Sequence, residues 1–332
     1  MYTIKSKPED FVVEELIDLK LDDSGGYAYF WLRKRDYNTV KAIEKVSSFI
    51  RCRVRDIGFA GNKDRCAVTK QAISIKDPQR RVDPERFSGF NRDDLNLEYI
   101  GRGKVPVSMG DLTGNRFEIV LRDCEKEPEQ ITWFVNYFDE QRFSETNKEV
   151  GKAIVKKDFK RACELVSNDA VTRHLDGKQN DFVGALKTLP FKTRMLLVHA
   201  YQSWLWNETV KGFLLSLCDD FYRVEYSLGE FVFPKSEVAQ ISVPIVGFGT
   251  ELGDGKVDKM IKGLLVKEGI GVRDFVVGGM PELSAEGGAR DVVVEVRGLK
   301  IEKMEEKEYR IMFSLSKGCY ATMAVKRMMA NP

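Results

Sequence analysis

A chain of 332 residues is long for one hydrophobic core and predicts two folding units. Its hydrophobic share of 43% is that of a globular protein, the N-terminus MYTIKSKPEDF lacks a signal-peptide pattern, and no apolar run approaches the roughly 18 residues of a membrane span, so a cytoplasmic protein, expected to be monomeric and off the membrane, is predicted. The net charge of +2 averages over an uneven chain: residues 51–81 hold nine Lys or Arg against three Asp, either a solvated basic face or a surface that attracts a phosphate-rich partner.

In chain order, YAYFWLRKR (27–35) reads as a strand. VKAIEKVSSFI (40–50) reads as a helix, with Val40, Ile43, Val46 and Ile50 at helical spacing and Asn38 or Thr39 as its N-cap. The apolar IGFAG leads into a GNKD turn, and QAISIK alternates Ile73 and Ile75 with polar neighbours, which predicts a half-buried strand. Asp64 therefore falls on a turn at the end of a strand. NRFEIVLR (115–122) is a further strand, with Phe117, Ile119 and Leu121 on one face. From about residue 130 the pattern is helical, and β character returns in DVVVEVRGL and EYRIMFSLSKG. A β-rich beginning and end around a helical middle predicts one domain interrupted by another.

Several chemistries are excluded by missing motifs. Asn62-Lys63-Asp64 lacks the spacer of a guanine-reading loop, and every Gly-Lys pair is followed by Val, Ala or Gln rather than Ser or Thr, so no phosphate-cradling loop exists. GxGxxG, HExxH and GxSxG are absent. The six cysteines are scattered singly and there are two histidines, which argues against a zinc site or a disulfide framework. An enzyme built from this sequence would work through a carboxylate, with no metal and no cofactor.

PEDFVVEE (8–15), Asn38-Thr39, GFAGNKDRCAVTKQ (58–71), GNRFEIVLR (114–122), NYFDEQRF (136–143) and KGCYAT (317–322) occur in the order found in the TruD family of tRNA pseudouridine synthases, and the resemblance spans nearly the whole chain. It implies an α+β fold: a pseudouridine-synthase-type catalytic domain with a mixed, largely antiparallel sheet, from 1–140 and 270–332, interrupted by an inserted helix-rich α/β domain over 141–269. It implies isomerisation of uridine to pseudouridine in tRNA, by default at uridine 13, and puts the family's catalytic aspartate at Asp64.

That reaction breaks the bond from ribose to a ring nitrogen and rejoins the base through a ring carbon, so nothing is added or lost. A carboxylate could serve as nucleophile or as base. Lys5 and Lys63 are candidates for a cation that favours the charged form, and a plain salt bridge is the competing reading for each. For Asp64 by itself, capping of a turn would be the usual explanation. A base flipped out of RNA needs an aromatic plate and groups that read its edge. By the same resemblance these are Phe117 for stacking, Asn115 for a hydrogen bond, and Phe11 and Tyr320 as further pocket positions; without it, the aromatics read as core. Phe117→Ala is expected to stay folded and lose activity. Two other classes remain: pseudouridylation of another RNA, and a catalytically silent RNA-binding protein that would not need Asp64.

Overall fold

The computed structural model describes residues 2–84, 87, 90–92, 94–144 and 146–330. Two compact units divide the chain: Met1–Trp133 with Glu295–Ala321, and Phe134–Val294 with Thr322–Pro332.

The first unit is organised by a nine-stranded sheet. Its strands are β1 (Phe11–Leu16), β2 (Tyr27–Arg35), β3 (Ile57–Phe59), β4 (Val68–Lys76), β5 (Asn91–Arg92), β6 (Leu95–Gly103), β7 (Gly114–Leu121) and a C-terminal hairpin of Arg297–Glu305 and Glu308–Ser316. From the hairpin the order runs β7, β1, β4, β2, β6, β5, with β3 also on β4. β1 is parallel to β4, and the other pairings in this sheet are antiparallel.

Helix α1 (Thr39–Ile50) begins where Asn38 Oδ1 accepts the amides of Val40 and Lys41, and it ends at Arg51 in the left-handed conformation. Its buried face, Ala42, Ile43 and Val46, packs on Phe30, Leu32, Ile73 and Ile75. β4 departs from the half-buried expectation. Ala72 and Ser74 are as buried as Ile73 and Ile75, because the strand is covered on both faces. Ser74 is accommodated by accepting the amide of Val107 at 2.8 Å. The same approach explains Gly58, where a Cβ would lie 2.1 Å from the Val107 carbonyl oxygen.

The second unit carries helices Asn147–Val155, Phe159–Leu165, Asp169–Gly177, Phe182–Lys187, Phe191–Leu215 and Lys256–Glu268, together with short two-stranded pieces such as the hairpin of Phe221–Tyr226 and Gly229–Pro234. Its limits differ from the expected 140/141 and 269/270. Phe275, Val277, Met280 and Leu283 belong to its core, so the chain leaves it only after Val294. The C-terminal helix also belongs to it from Thr322 onward. Lys326 donates to Asp139 at 2.6 Å, and the Thr322 hydroxyl donates to the same carboxylate.

Candidate active site

Strand alternation brings the candidate residues to one sheet face. Phe11, Val13 and Glu15 of β1 stand in register with Ile119, Phe117 and Asn115 of β7. Phe313 and Leu315 of the hairpin lie opposite Phe117 and Asn115 on the other side. Side chains two residues apart share a face, so apolar packing along these strands passes directly into a polar end at Glu15 and Asn115.

The loop from Ala60 to Ala67 joins β3 to β4 at that polar end. β4 is flanked on the same edge by β3, opposite Ile73 to Ile75, and by β1, opposite Val68 to Lys70. Between them side chains complete the hydrogen bonding. The Ala72 amide donates to Glu15 Oε1 at 3.2 Å, and Gln71 Nε2 donates to the Gly61 carbonyl at 3.0 Å. Thr39 Oγ1 accepts the Lys63 amide at 3.0 Å, which ties the loop to the start of α1.

These anchors leave Asp64 with its side chain 47% exposed, so the carboxylate is open to solvent rather than enclosed. Lys5 Nζ lies 2.6 Å from Asp64 Oδ2 and 4.1 Å above the centre of the Phe11 ring. Lys5 adopts a φ of 58°, uncommon for a residue other than glycine. Lys63 points the other way. Its ammonium, on a side chain 6% exposed, pairs with fully buried Glu15 at 2.8 Å and donates to Asn115 Oδ1 at 2.5 Å. Of the two lysines, Lys5 contacts Asp64, and Lys63 is the buried salt bridge that ties the loop to β1 and β7.

Phe11 and Phe117 are 3% and 6% exposed, with ring centres 6.2 Å apart, and Phe117 is 5.5 Å from Phe313. The Phe117 ring is packed between β1 and the hairpin. Tyr320 is half-buried, a few residues beyond Leu315, the register partner of Asn115.

Lys34 escaped the sequence reading. It is fully buried, and its ammonium donates to the Asp64 carbonyl at 2.6 Å and the Lys63 carbonyl at 3.4 Å. Burial pushes its pKa down to about 8, against the pull of the Asp64 charge and with the push of the Lys63 ammonium. A signal was present: in YAYFWLRKR, Lys34 takes the inward parity of Ala28, Phe30 and Leu32, as Glu15 takes that of Phe11 and Val13. Among the described residues no group of three or more His, Cys, Asp or Glu side chains could hold a metal ion, and no helix is long and apolar enough to cross a membrane.

The sequence profile of tRNA pseudouridine synthase D (TruD) matches residues 2–174, 165–218 and 233–328. The chain belongs to the TruD family. A relative in Thermococcus sibiricus named Probable tRNA pseudouridine synthase D is 30% identical, over 99% of this chain and 94% of the relative. The tRNA pseudouridine synthase D of Aquifex aeolicus is 27% identical, over 99% of this chain and 98% of that one. The crystal structure of a TruD protein from Methanosarcina mazei superposes with a TM-score of 0.72 at 24% identity, covering 99% of this chain and 93% of that one, which shows the same fold. Membership in TruD makes the chain an isomerase of the pseudouridine synthase class, and its α+β architecture with a mixed, mostly antiparallel sheet is that of the family.

Proposed function

We propose that this chain isomerises uridine to pseudouridine in tRNA, at position 13, and that Asp64 is the catalytic carboxylate. The observation that carries the reading is the placement of Asp64. It is the solvent-open acid of the family motif, on a loop anchored at Gly61, Lys63 and its own carbonyl, with one ammonium on its carboxylate. Such anchoring suits a group that must meet a sugar carbon or its proton at a set distance.

The bond from ribose C1′ to N1 breaks with help from Asp64, acting as nucleophile at C1′ or as base on the ribose. The uracil turns, C5 bonds to C1′, the C5 proton leaves and N1 gains one. Lys5 pairs with the carboxylate at 2.6 Å and fixes its orientation. Phe11 forms an apolar floor beneath Lys5 with Phe117 packed beside it, and Asn115, with its oxygen engaged by Lys63, keeps an amide NH2 to donate to a uracil or ribose oxygen. Tyr320 is assigned to the same pocket. The catalytic domain is the sheet-bearing unit, and the helix-rich unit is the family-specific insertion that selects the RNA.

The test is tritium release from tRNA labelled at uracil C5, with the modified position mapped. Asp64→Asn keeps size and shape but can neither attack nor take a proton, so release is expected to stop while tRNA binding, which rests on phosphate contacts, persists. Turnover near wild type in the Asn variant would sink the assignment.

A further inference from the structure

All eight residues of the motif NYFDEQRF lie in the second unit. Its backbone is held from several sides. Asn136 accepts Arg290 at both its carbonyl (2.9 Å) and its side-chain oxygen (2.6 Å). Phe138 exchanges two hydrogen bonds of 2.9 Å with the Asn207 side chain. Asp139 caps the turn that follows by accepting the Glu140 amide at 2.8 Å. So firm a backbone presents two side chains, Phe138 and Arg142, to a cavity of about 340 Å³.

The opposite wall comes from helix Phe191–Leu215, where Met195, His199, Gln202 and Ser203 repeat at intervals of three and four and so share one face. Gln202 and Ser203 are 4% and 2% exposed, polar groups set into the wall. Gln202 Nε2 donates to the Val246 carbonyl at 2.7 Å, which orients the amide and leaves its oxygen as an acceptor. Ser203 donates to the His199 carbonyl at 2.7 Å and accepts Arg142 Nε at 3.3 Å, so the guanidinium is fixed at one corner. Among the described residues no carboxylate lies within ion-pair distance of Arg142. Burial, together with the nearby Arg142 charge, holds His199 below its ordinary pKa. A neutral imidazole carries one donor and one acceptor. Glu286 stands exposed at the rim.

We propose that this cavity binds one nucleotide of the RNA substrate other than the target uridine, with Arg142 on its phosphate and His199 and Gln202 on its base edge. The lining matches that ligand group by group. A planar guanidinium suits a phosphate, the Phe138 and Met195 walls suit a base face, donors and acceptors set into the wall suit a base edge, and a rim carboxylate can accept from a ribose hydroxyl. The inference rests on the proposed RNA-modifying function, but its binding can be measured without turnover.

With two histidines in the chain, the imidazole NMR spectrum holds two sets of resonances, and His174→Gln assigns them. Titrating the whole protein with each of the four ribonucleoside 5′-monophosphates is expected to move the His199 resonances with at least one of them and to leave His174 in place. Arg142→Gln should remove that response and raise KM for tRNA roughly ten-fold or more, with kcat within about twofold, because a charge-assisted hydrogen bond to phosphate contributes to binding rather than to chemistry. A His199 signal unmoved by all four nucleotides, or moved equally by inorganic phosphate alone, overturns the proposal, as does an unchanged KM in a folded Arg142→Gln protein. A shift at His199 in a protein that converts no uridine would defeat the functional reading and leave the pocket standing.

Discussion

Lys34 places an ammonium where the alternation of β2 leads to the core, and there it holds the Asp64 carbonyl. Its ordinary pKa of 10.5 falls to about 8 in the folded protein. Below pH 8 both folded and unfolded chains carry the charge, and the folded state bears the full cost of burying it; above 10.5 both are neutral and that cost is gone. The stability of wild type relative to Lys34→Met is therefore expected to rise across this window by about 3 kcal/mol, measured by urea unfolding at its two ends. A difference that stays flat with pH would contradict the buried ammonium. Phe117 supports a second prediction at this scale. Read from strand pattern and family resemblance, Phe117→Ala should stay folded and lose activity. With the ring packed against Phe11 and Phe313, the substitution is instead expected to cost about 3–5 kcal/mol, lowering the melting temperature along with turnover. An inactive Ala variant that melts with wild type would favour the stacking role over a core role.

At the level of elements, β4 shares one edge between a parallel and an antiparallel neighbour, and the loop carrying Asp64 arises where they part. α1 fixes the other side of that loop through Thr39, the residue after its cap. Two adjacent substitutions separate these duties. Asn38→Ala removes the cap and should cost about 1 kcal/mol with turnover nearly unchanged. Thr39→Val removes the acceptor for the Lys63 amide and should cost about 1–2 kcal/mol while cutting turnover about tenfold, since Asp64 loses its set position. Denaturation and tritium release on the pair check this; equal turnover in the two variants would mean the loop does not depend on α1.

For the molecule as a whole, charge is a matter of local placement. Arg51, at the end of α1, together with Lys76 and Arg81, surrounds a cavity of about 330 Å³, and Arg53 at the same cavity pairs with Asp56 at 2.8 Å. All these residues lie in the sheet-bearing unit. Neutralising Arg51, Arg53 and Arg55 should weaken tRNA binding and reduce the log–log salt slope by roughly 0.9 for each phosphate that these side chains no longer neutralise. Arg53 should contribute least, because part of its charge is already answered by Asp56. Binding titrations at several salt concentrations measure the slope, and an unchanged slope would remove this face from the RNA-binding surface.

The family, the strands β2, β4 and β7, α1 with Asn38 as one of its two cap candidates and the placement of Asp64 between strands were all legible in the sequence, because each depends on local periodicity or on a contiguous motif. Three things were not legible. The partner of Asp64 had two candidates, and only the fold, which sends Lys63 inward to Glu15 and brings Lys5 back over Phe11, chose between them. Whether Phe117 is plate or core depends on which strands flank β7, and one of them lies nearly two hundred residues away in sequence. The unit limits were hidden because Phe275 to Leu283 and the C-terminal helix resemble either unit in composition, and only long-range packing, such as Lys326 on Asp139, assigns them. Local pattern records how a segment folds, whereas a buried charge or a domain limit is decided by what comes to lie against it.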